Sequence, residues 1–338
     1  TIVDLANTNI SWESSEMTNA GLDVTFRKKL TASFDYYYKK TTGILLRLNI
    51  PNTMGLTAPY QNAGIVENKG WDFSLNYAEA IGKLQYDITL ALSDVKNKIL
   101  DLKGIRQAGS IVDHEGHPIN SFYLYKSMGF ISSSDMDASN KYTGPTQFGN
   151  VQPGDIKYQD YKDDGKINTE DKQILGSTIP RYTYSLNISL KYKNVDFQTF
   201  LQGVGKVDGY ITGSGNVPFN MSGTAFDYHK DRWTIENPNP NAMFPRLAFG
   251  ETNNTEYSDF WMKSAAYLRV KHIQIGYTLP KPVSEKLNLR NLRLFCSAEN
   301  LLTFDNFWPD ADPEISPGSS GAYYPQVKTF NTGLSVTF

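Results

Sequence analysis

Polar and apolar side chains alternate along this chain in blocks of about ten residues. In TYSLNISLKY (183–192), Tyr184, Leu186, Ile188, Leu190 and Tyr192 fall on one side, and Thr183, Ser185, Asn187, Ser189 and Lys191 on the other. A strand sends successive side chains to opposite faces, so the block predicts a β-strand with one oily face and one wet face. The pattern recurs in GLDVTFRKKL (21–30), TASFDYYYKK (31–40), WDFSLNY (71–77), LQYDITLALS (84–93) and NVDFQTFLQG (194–203). It returns in AAYLRVKHIQIGYTLP (265–280), RNLRLFCSAENL (290–301) and the terminal NTGLSVTF (331–338). The phase slips near Lys271 and His272, where one extra residue would make a bulge. Taken singly, such a strand suits a soluble sandwich, with its oily face on a core, or an outer-membrane barrel, with that face on lipid.

The connections discriminate. Short ones near 30–31, 79–83, 193–194 and 280–288 alternate with long ones over 41–64, 94–180, 206–264 and 303–327. A membrane barrel sorts its loops in this way, with short periplasmic turns and long extracellular loops, and a sandwich has no reason to. The spacing predicts nine antiparallel membrane strands, over about 20–30, 31–40, 65–78, 83–93, 181–193, 194–204, 265–279, 289–302 and 328–338. The first and the ninth then both end in the periplasm. A single-chain bacterial barrel closes on an even number of strands, and open edges are not tolerated in lipid. The chain is therefore expected to be the C-terminal part of a larger barrel. Lys28 is in phase with the oily set, at the periplasmic end of the first strand, where a charge costs roughly 0–1 kcal/mol. Lys191 and Arg293 fall on the wet face. The last residue, Phe338, alternates with Leu334 and Val336, a terminal aromatic that resembles the assembly signal of outer-membrane barrels.

Composition narrows the class without naming a chemistry. A net charge of −2 offers no basic patch for nucleic acid. No apolar run approaches the roughly 18 residues of a membrane helix, which says nothing against barrel strands. The 21 tyrosines suit places that are dry at one end and wet at the other. The single cysteine, Cys296, is in phase with Leu292 and Leu294 and reads as a small hydrophobe. The opening TIVDLANTNISW has neither the basic start nor the apolar core of a signal peptide, which leaves a cytoplasmic chain or a longer precursor.

Several segments together resemble one family, the SusC/RagA-like TonB-dependent transporters of Gram-negative outer membranes. They are NTNISWESSEMTNAGLDVTF (7–26), FDYYYKKTTGILL (34–46) and NAGIVENKGWDFSLNY (62–77), the last with the spacing N-x-G-x-x-x-N-K-G. GHPINSFYLYKSMGF (116–130), GDIKYQDYKDDGKINTEDKQILG (154–176), YLRVKHIQIGYTLP (267–280) and LRLFCSAENLLTF (292–304) follow in order, and then the tail from WPDADPE to YYPQVKTFNTGLSVTF. The resemblance implies an all-β fold, a transmembrane antiparallel barrel of about 22 strands with an N-terminal plug, of which residues 1–338 would be the C-terminal portion. It implies import of an oligomeric nutrient, glycan or peptide, with glycan oligosaccharides favoured. A SusD-like surface lipoprotein would be the lid, and the TonB complex would pull on a plug that lies outside this chain, as do the early strands.

Candidate site residues are few. DYKDDGKINTED (160–171) is similar to an EF-hand loop, which wants oxygen ligands at positions 1, 3, 5, 9 and 12, a carbonyl at 7 and glycine at 6. Asp160, Asp164, Asn168 and Asp171 fit positions 1, 5, 9 and 12, Lys166 would offer its carbonyl, and Lys162 stands where an acidic ligand is wanted. A structural Ca2+ bracing an extracellular loop is the expectation, beside an acidic turn that keeps the loop shape without metal. His114 and His117 have H-x-x-H spacing but no third ligand, and read as a glycine-rich turn. Trp233, Trp308, Tyr323 and Tyr324 lie in long connections and are candidates for contact with substrate or lid; the alternative is a core of the loops themselves or the aromatic girdle. No G-x-S-x-G, P-loop or paired cysteines mark an enzyme. The rival function is a soluble or cell-surface β-protein that binds glycans without transporting them, in which the oily faces would meet each other.

Overall fold

The computed structural model describes residues 7–47, 53, 55–104, 106–248, 252–315 and 326–338. Nine long strands form one sheet in which every strand pairs with the next one along the chain. They are β1 (Ser14–Phe26), β2 (Leu30–Arg47), β3 (Tyr60–Ile81) and β4 (Leu84–Asp101). After a long connection come β5 (Arg181–Tyr192), β6 (Val195–Lys206), β7 (Tyr267–Thr278), β8 (Asn291–Asp305) and β9 (Thr329–Thr337). All eight pairings are antiparallel. This is the meander that the alternating loop lengths require, and β1 and β9 are its two free edges.

Two expectations shift. Lys28 is not in the first strand: Arg27 and Lys28 both have positive φ, 52° and 54°, and Lys29 N–H returns to the Phe26 carbonyl at 3.1 Å. Positive φ at both central residues makes a tight turn whose twist matches the strands, and the turn leaves Lys28 in water rather than in the oily set. The strands are also longer than expected at the long-loop end. β3 begins at Tyr60 rather than near 65, and β4 runs to Asp101 rather than 93. Above the membrane the ladder continues, but both faces there meet water or other protein, so the alternation that marks a membrane strand fades.

The phase slip is a bulge. Phe200 pairs with His272 and Leu201 with Val270, so Lys271 has no partner of its own on β6. β8 answers it with Val270 opposite Leu302 and His272 opposite Glu299. The other short connections are Gly82–Lys83, Lys193–Asn194 and a stretch holding the helix Lys281–Lys286.

Among the described residues nothing covers the oily face. Leu22, Ile275 and Leu334 are 65%, 55% and 64% exposed, where a sandwich would bury them. The rival's packed oily faces are therefore absent among the described residues. Rings edge the belt: Tyr36 faces Trp71 at one end, and Tyr77, Tyr86, Tyr192 and Tyr277 lie at the short-turn end. From Trp71 to Tyr77 is about 20 Å along the strand, close to an outer-membrane band of about 25 Å.

The hydrophobic core sits instead in the long connections. Phe122, Leu124, Ile156 and Tyr158 from the first, Tyr210, Phe244 and Trp261 from the second, and Phe307 and Trp308 from the third form one buried cluster. Three small sheets support this body, among them Ile156–Tyr158 paired with Ser127–Phe130, and Asp208–Tyr210 paired with Met262–Ser264.

Candidate functional site

The wet face of the sheet holds a concavity of about 440 Å³. Its floor is two cross-strand rows. Asp35 faces Asp72, Asp72 faces Ser93, and Ser93 faces Thr183. Next to it run Ser33, Ser74, Ala91, Ser185 and Gln202. The small side chains leave room, and the hydroxyls, carboxylates and amide supply donors and acceptors. Among the described residues no Lys, Arg or His lines it, and Phe200 and Val204 adjoin the polar rows. Such a wall suits a hydroxylated, uncharged ligand: carboxylates accept from ligand hydroxyls, and Ser and Thr both donate and accept. Nearer the short turns the face is knitted internally, with Asn76 donating to Asp87 Oδ1 at 2.7 Å and Thr89 Oγ1 at 2.9 Å.

Trp233 and Trp308 face neither water nor this wall. Trp308 is 2% exposed, stacks on Trp261 with centroids 6.0 Å apart, and donates Nε1–H to the Trp261 carbonyl at 3.3 Å. Lys263 Nζ lies 3.8 Å from its ring centroid, and burial pulls that ammonium below its ordinary range, against the opposing pull of Asp231. Trp233 is 6% exposed and its ring lies on Gly154, where a Cβ would meet Cε3 at 2.2 Å. Both rings are packed inside the loop body. Tyr323 and Tyr324 lie outside the described residues.

The body is fastened by buried polar groups that the sequence reading missed. Asn254 Oδ1 accepts from Ile156 N–H at 2.8 Å, Asn253 Nδ2 donates to the Ile156 carbonyl at 2.6 Å, and Tyr158 Oη donates to the Asn253 carbonyl at 2.7 Å. Asp155, 1% exposed, accepts from Arg246 at 3.0 Å and Asn254 at 2.8 Å. Arg269 of β7, also 1% exposed, binds both oxygens of Asp312 at 2.8 Å and Glu314 at 3.0 Å. It thereby clamps the WPDADPE segment to the wall. The signal was present as an arginine inside an alternating strand and a D-x-E in the last loop, but nothing in the spacing pairs them.

The N-x-G-x-x-x-N-K-G segment also acquires reasons. Asn62 donates to the Ser11 and Gly43 carbonyls at 2.8 and 2.7 Å and accepts from Ser11 N–H at 2.9 Å. Asn68 accepts from Asn97 at 2.8 Å. Gly70 lies beneath the Tyr37 ring, where a Cβ would sit 2.3 Å from the hydroxyl.

The EF-hand-like loop is folded as a turn closed on itself. Asp160 accepts from Asp164 and Gly165 N–H at 3.2 and 2.8 Å. Asp171, fully buried, accepts from Tyr161, Lys162 and Asn168 N–H at 2.9, 3.0 and 2.8 Å. Asn168 Oδ1 caps Glu170 N–H at 2.9 Å, and Asp164 accepts from Lys166 N–H at 3.1 Å. Thr146 brackets the loop, accepting from Ile167 N–H at 2.7 Å. Among the described residues no three His, Cys, Asp or Glu side chains gather as metal ligands. Asp160, Asp164, Asn168 and Asp171 thus each accept from backbone N–H groups of their own loop, and Lys166 donates its own to Asp164. His114 and His117 form the expected turn, His117 N–H bonding the His114 carbonyl at 3.1 Å.

An open antiparallel meander with a lipid-type belt, a polar wall and a capping loop body defines the wall of an outer-membrane barrel. The family model "TonB dependent receptor-like, beta-barrel" matches residues 1–301, and the chain belongs to that family. Its members are outer-membrane proteins of Gram-negative bacteria. A TonB-dependent receptor of Formosa agariphila is 31% identical over 98% of this chain and 35% of its own length. TonB-dependent receptor SusC of Bacteroides thetaiotaomicron is 25% identical over 98% of this chain and 32% of its own. The chain thus spans about a third of the length of the curated relatives it matches. The RagAB peptide importer, in its open-open state, superimposes with a TM-score of 0.79 at 20% identity, covering 100% of this chain and 36% of that one.

Proposed function

We propose that this chain is the C-terminal wall and part of the extracellular mouth of a TonB-dependent importer, and that its cargo is an oligosaccharide. The observation that carries the cargo class is the wall concavity, with its hydroxyl rows, its paired Asp35 and Asp72 and no cation. In this reading the plug and the remaining strands belong to the same transporter outside residues 1–338. The TonB complex engages there, and a SusD-like lipoprotein closes over the loop body as a lid. The second reading is a peptide cargo, favoured by the likeness to a structure described as a peptide importer.

The test uses the full-length transporter. Binding of neutral oligosaccharides and of oligopeptides is measured by calorimetry on wild type and on a D35A/D72A variant. The reading expects oligosaccharide binding that falls about tenfold or more in the variant, in line with about 1.5–3 kcal/mol for hydrogen bonds to charged groups. Peptide binding with no oligosaccharide binding would replace it by the second reading.

A further inference from the structure

A strongly charged concavity lies at the upper end of the sheet. It measures about 530 Å³ and lies where β4 rises past its pairing with β5. Five cations line it, Lys69, Lys96, Lys98, Arg181 and Lys206, against two carboxylates, Glu67 and Asp208. Arg181 is committed to Asp94, Lys69 to Glu67 at 3.2 Å, and Asp208 to Ser177 N–H at 2.9 Å. Lys96, Lys98 and Lys206 are exposed and make no ion pair among the described residues.

The register fixes which way the lysines point. Trp71 faces Asp94, Lys69 faces Lys96 and Glu67 faces Lys98. Lys69 and Glu67 are in phase with Trp71 and Phe73, and Lys96 and Lys98 with Leu90 and Leu92, so all four continue the lipid-facing side. They stand one and two steps above the Trp71 ring that ends the apolar belt, at headgroup height. Lys206 is in phase with Gln202 and Val204 on the cargo side, so the outward ammonium groups are Lys69, Lys96 and Lys98, and their mutual repulsion is relieved by an anion.

We propose that this cleft binds the phosphate-bearing headgroup of an outer-leaflet glycolipid, whose acyl chains lie along the belt below. The proposal rests on the barrel reading. Juxtamembrane lysines attract anionic headgroups, and the cleft adds shape to that attraction.

Full-length transporter is purified from outer membranes in mild detergent and titrated, in native mass spectrometry, with lipid A and with the same lipid A stripped of phosphate. Wild type is expected to retain the phosphorylated form in clear preference. Retention should fall roughly fivefold for each lysine removed across K69Q, K96Q and K98Q, and stay unchanged in K83Q at the opposite end of the strand. Equal retention of the two lipids by wild type overturns the proposal without recourse to any variant. Unchanged retention in the triple variant overturns it too, as does displacement of the lipid by millimolar inorganic phosphate, which would mark a soluble-anion site. A protein absent from the outer-membrane fraction would instead sink the barrel reading itself.

Discussion

Arg269 carries more than its own strand. With Asp312 and Glu314 engaged on a side chain 2% exposed, its removal leaves Asp312, 11% exposed, without its ion pair and Glu314 with Lys271 as its cation. R269A should cost the last loop about 3 kcal/mol. The expected readout is rapid proteolysis between 306 and 328 in a barrel whose own melting is unchanged, and a protected loop would show the clamp to be redundant. Asp135 makes a pH prediction. Burial works against its ionisation, but the Lys157 ammonium at 2.8 Å and the Ser132 N–H and hydroxyl outweigh it and hold the carboxyl down to about 2, from an ordinary 3.8. An unfolded chain protonates first as pH falls, so this stabilisation is complete above about pH 4 and is lost as pH drops towards 2. Hydrogen exchange at 132–157 should accelerate in that window in wild type and show no such step in D135N. The closed loop at 160–171 predicts that EGTA changes neither melting nor proteolysis, since Lys162 holds the third ligand position and the carboxylates already bind N–H groups. A chelator-induced drop in melting temperature would restore calcium to it.

At the scale of the strand, the alternation is a statement about two solvents. Ile188 lies midway between Tyr184 and Tyr192 on the belt, and Asn187 beside it on the wet face. I188K should therefore cost about 2–4 kcal/mol and N187K little, measured by denaturant unfolding in lipid vesicles. Equal costs would mean that the two faces do not see different media. Neighbouring strands are also keyed by rings on glycines: Tyr37 over Gly70, Tyr184 over Gly203 and Phe295 over Gly333, each pair directly opposed. A Cβ on Gly333 would meet Phe295 Cζ at 2.4 Å, so G333A should cost about 1–3 kcal/mol. The double variant G333A/F295A should lose less than the sum of its singles. These strands were legible because lipid forces a period of two on every second side chain. Their upper ends were not, since β4 above Leu92 has Asp94, Lys96 and Lys98 in the same phase, and nothing in such a sequence separates strand from loop. The turn at Arg27–Lys28 was misplaced because residues outside the membrane carry no periodic signal.

At the scale of the molecule, two kinds of order meet. The sheet has almost no core of its own, and the loops have one built from aromatic residues more than a hundred positions apart, such as Phe122 and Trp261. The sequence could show that rings were plentiful in the loops, but not that Trp308 stacks on Trp261 rather than facing a ligand, because long-range packing leaves no local spacing. It did show an odd number of strands, and β1 and β9 are each paired on one side only, with every residue of β1 exposed. Backbone groups at two such edges cannot be satisfied by hydrocarbon. In the loop body the buried backbone of Ile156 is met by Asn253 and Asn254, and Asp155 is held by Asn254 and Arg246. The two parts should therefore behave differently when residues 1–338 are produced alone. In detergent the loops should keep protected amides at 121–158 and 253–261, while β1 and β9 exchange quickly and no heat-resistant species runs on an unboiled gel. The full-length protein should show slow exchange at both edges and the heat-resistant band. Slow exchange at β1 in the isolated chain would mean that the nine strands close on themselves or on a second copy, and that the missing wall is not what completes them.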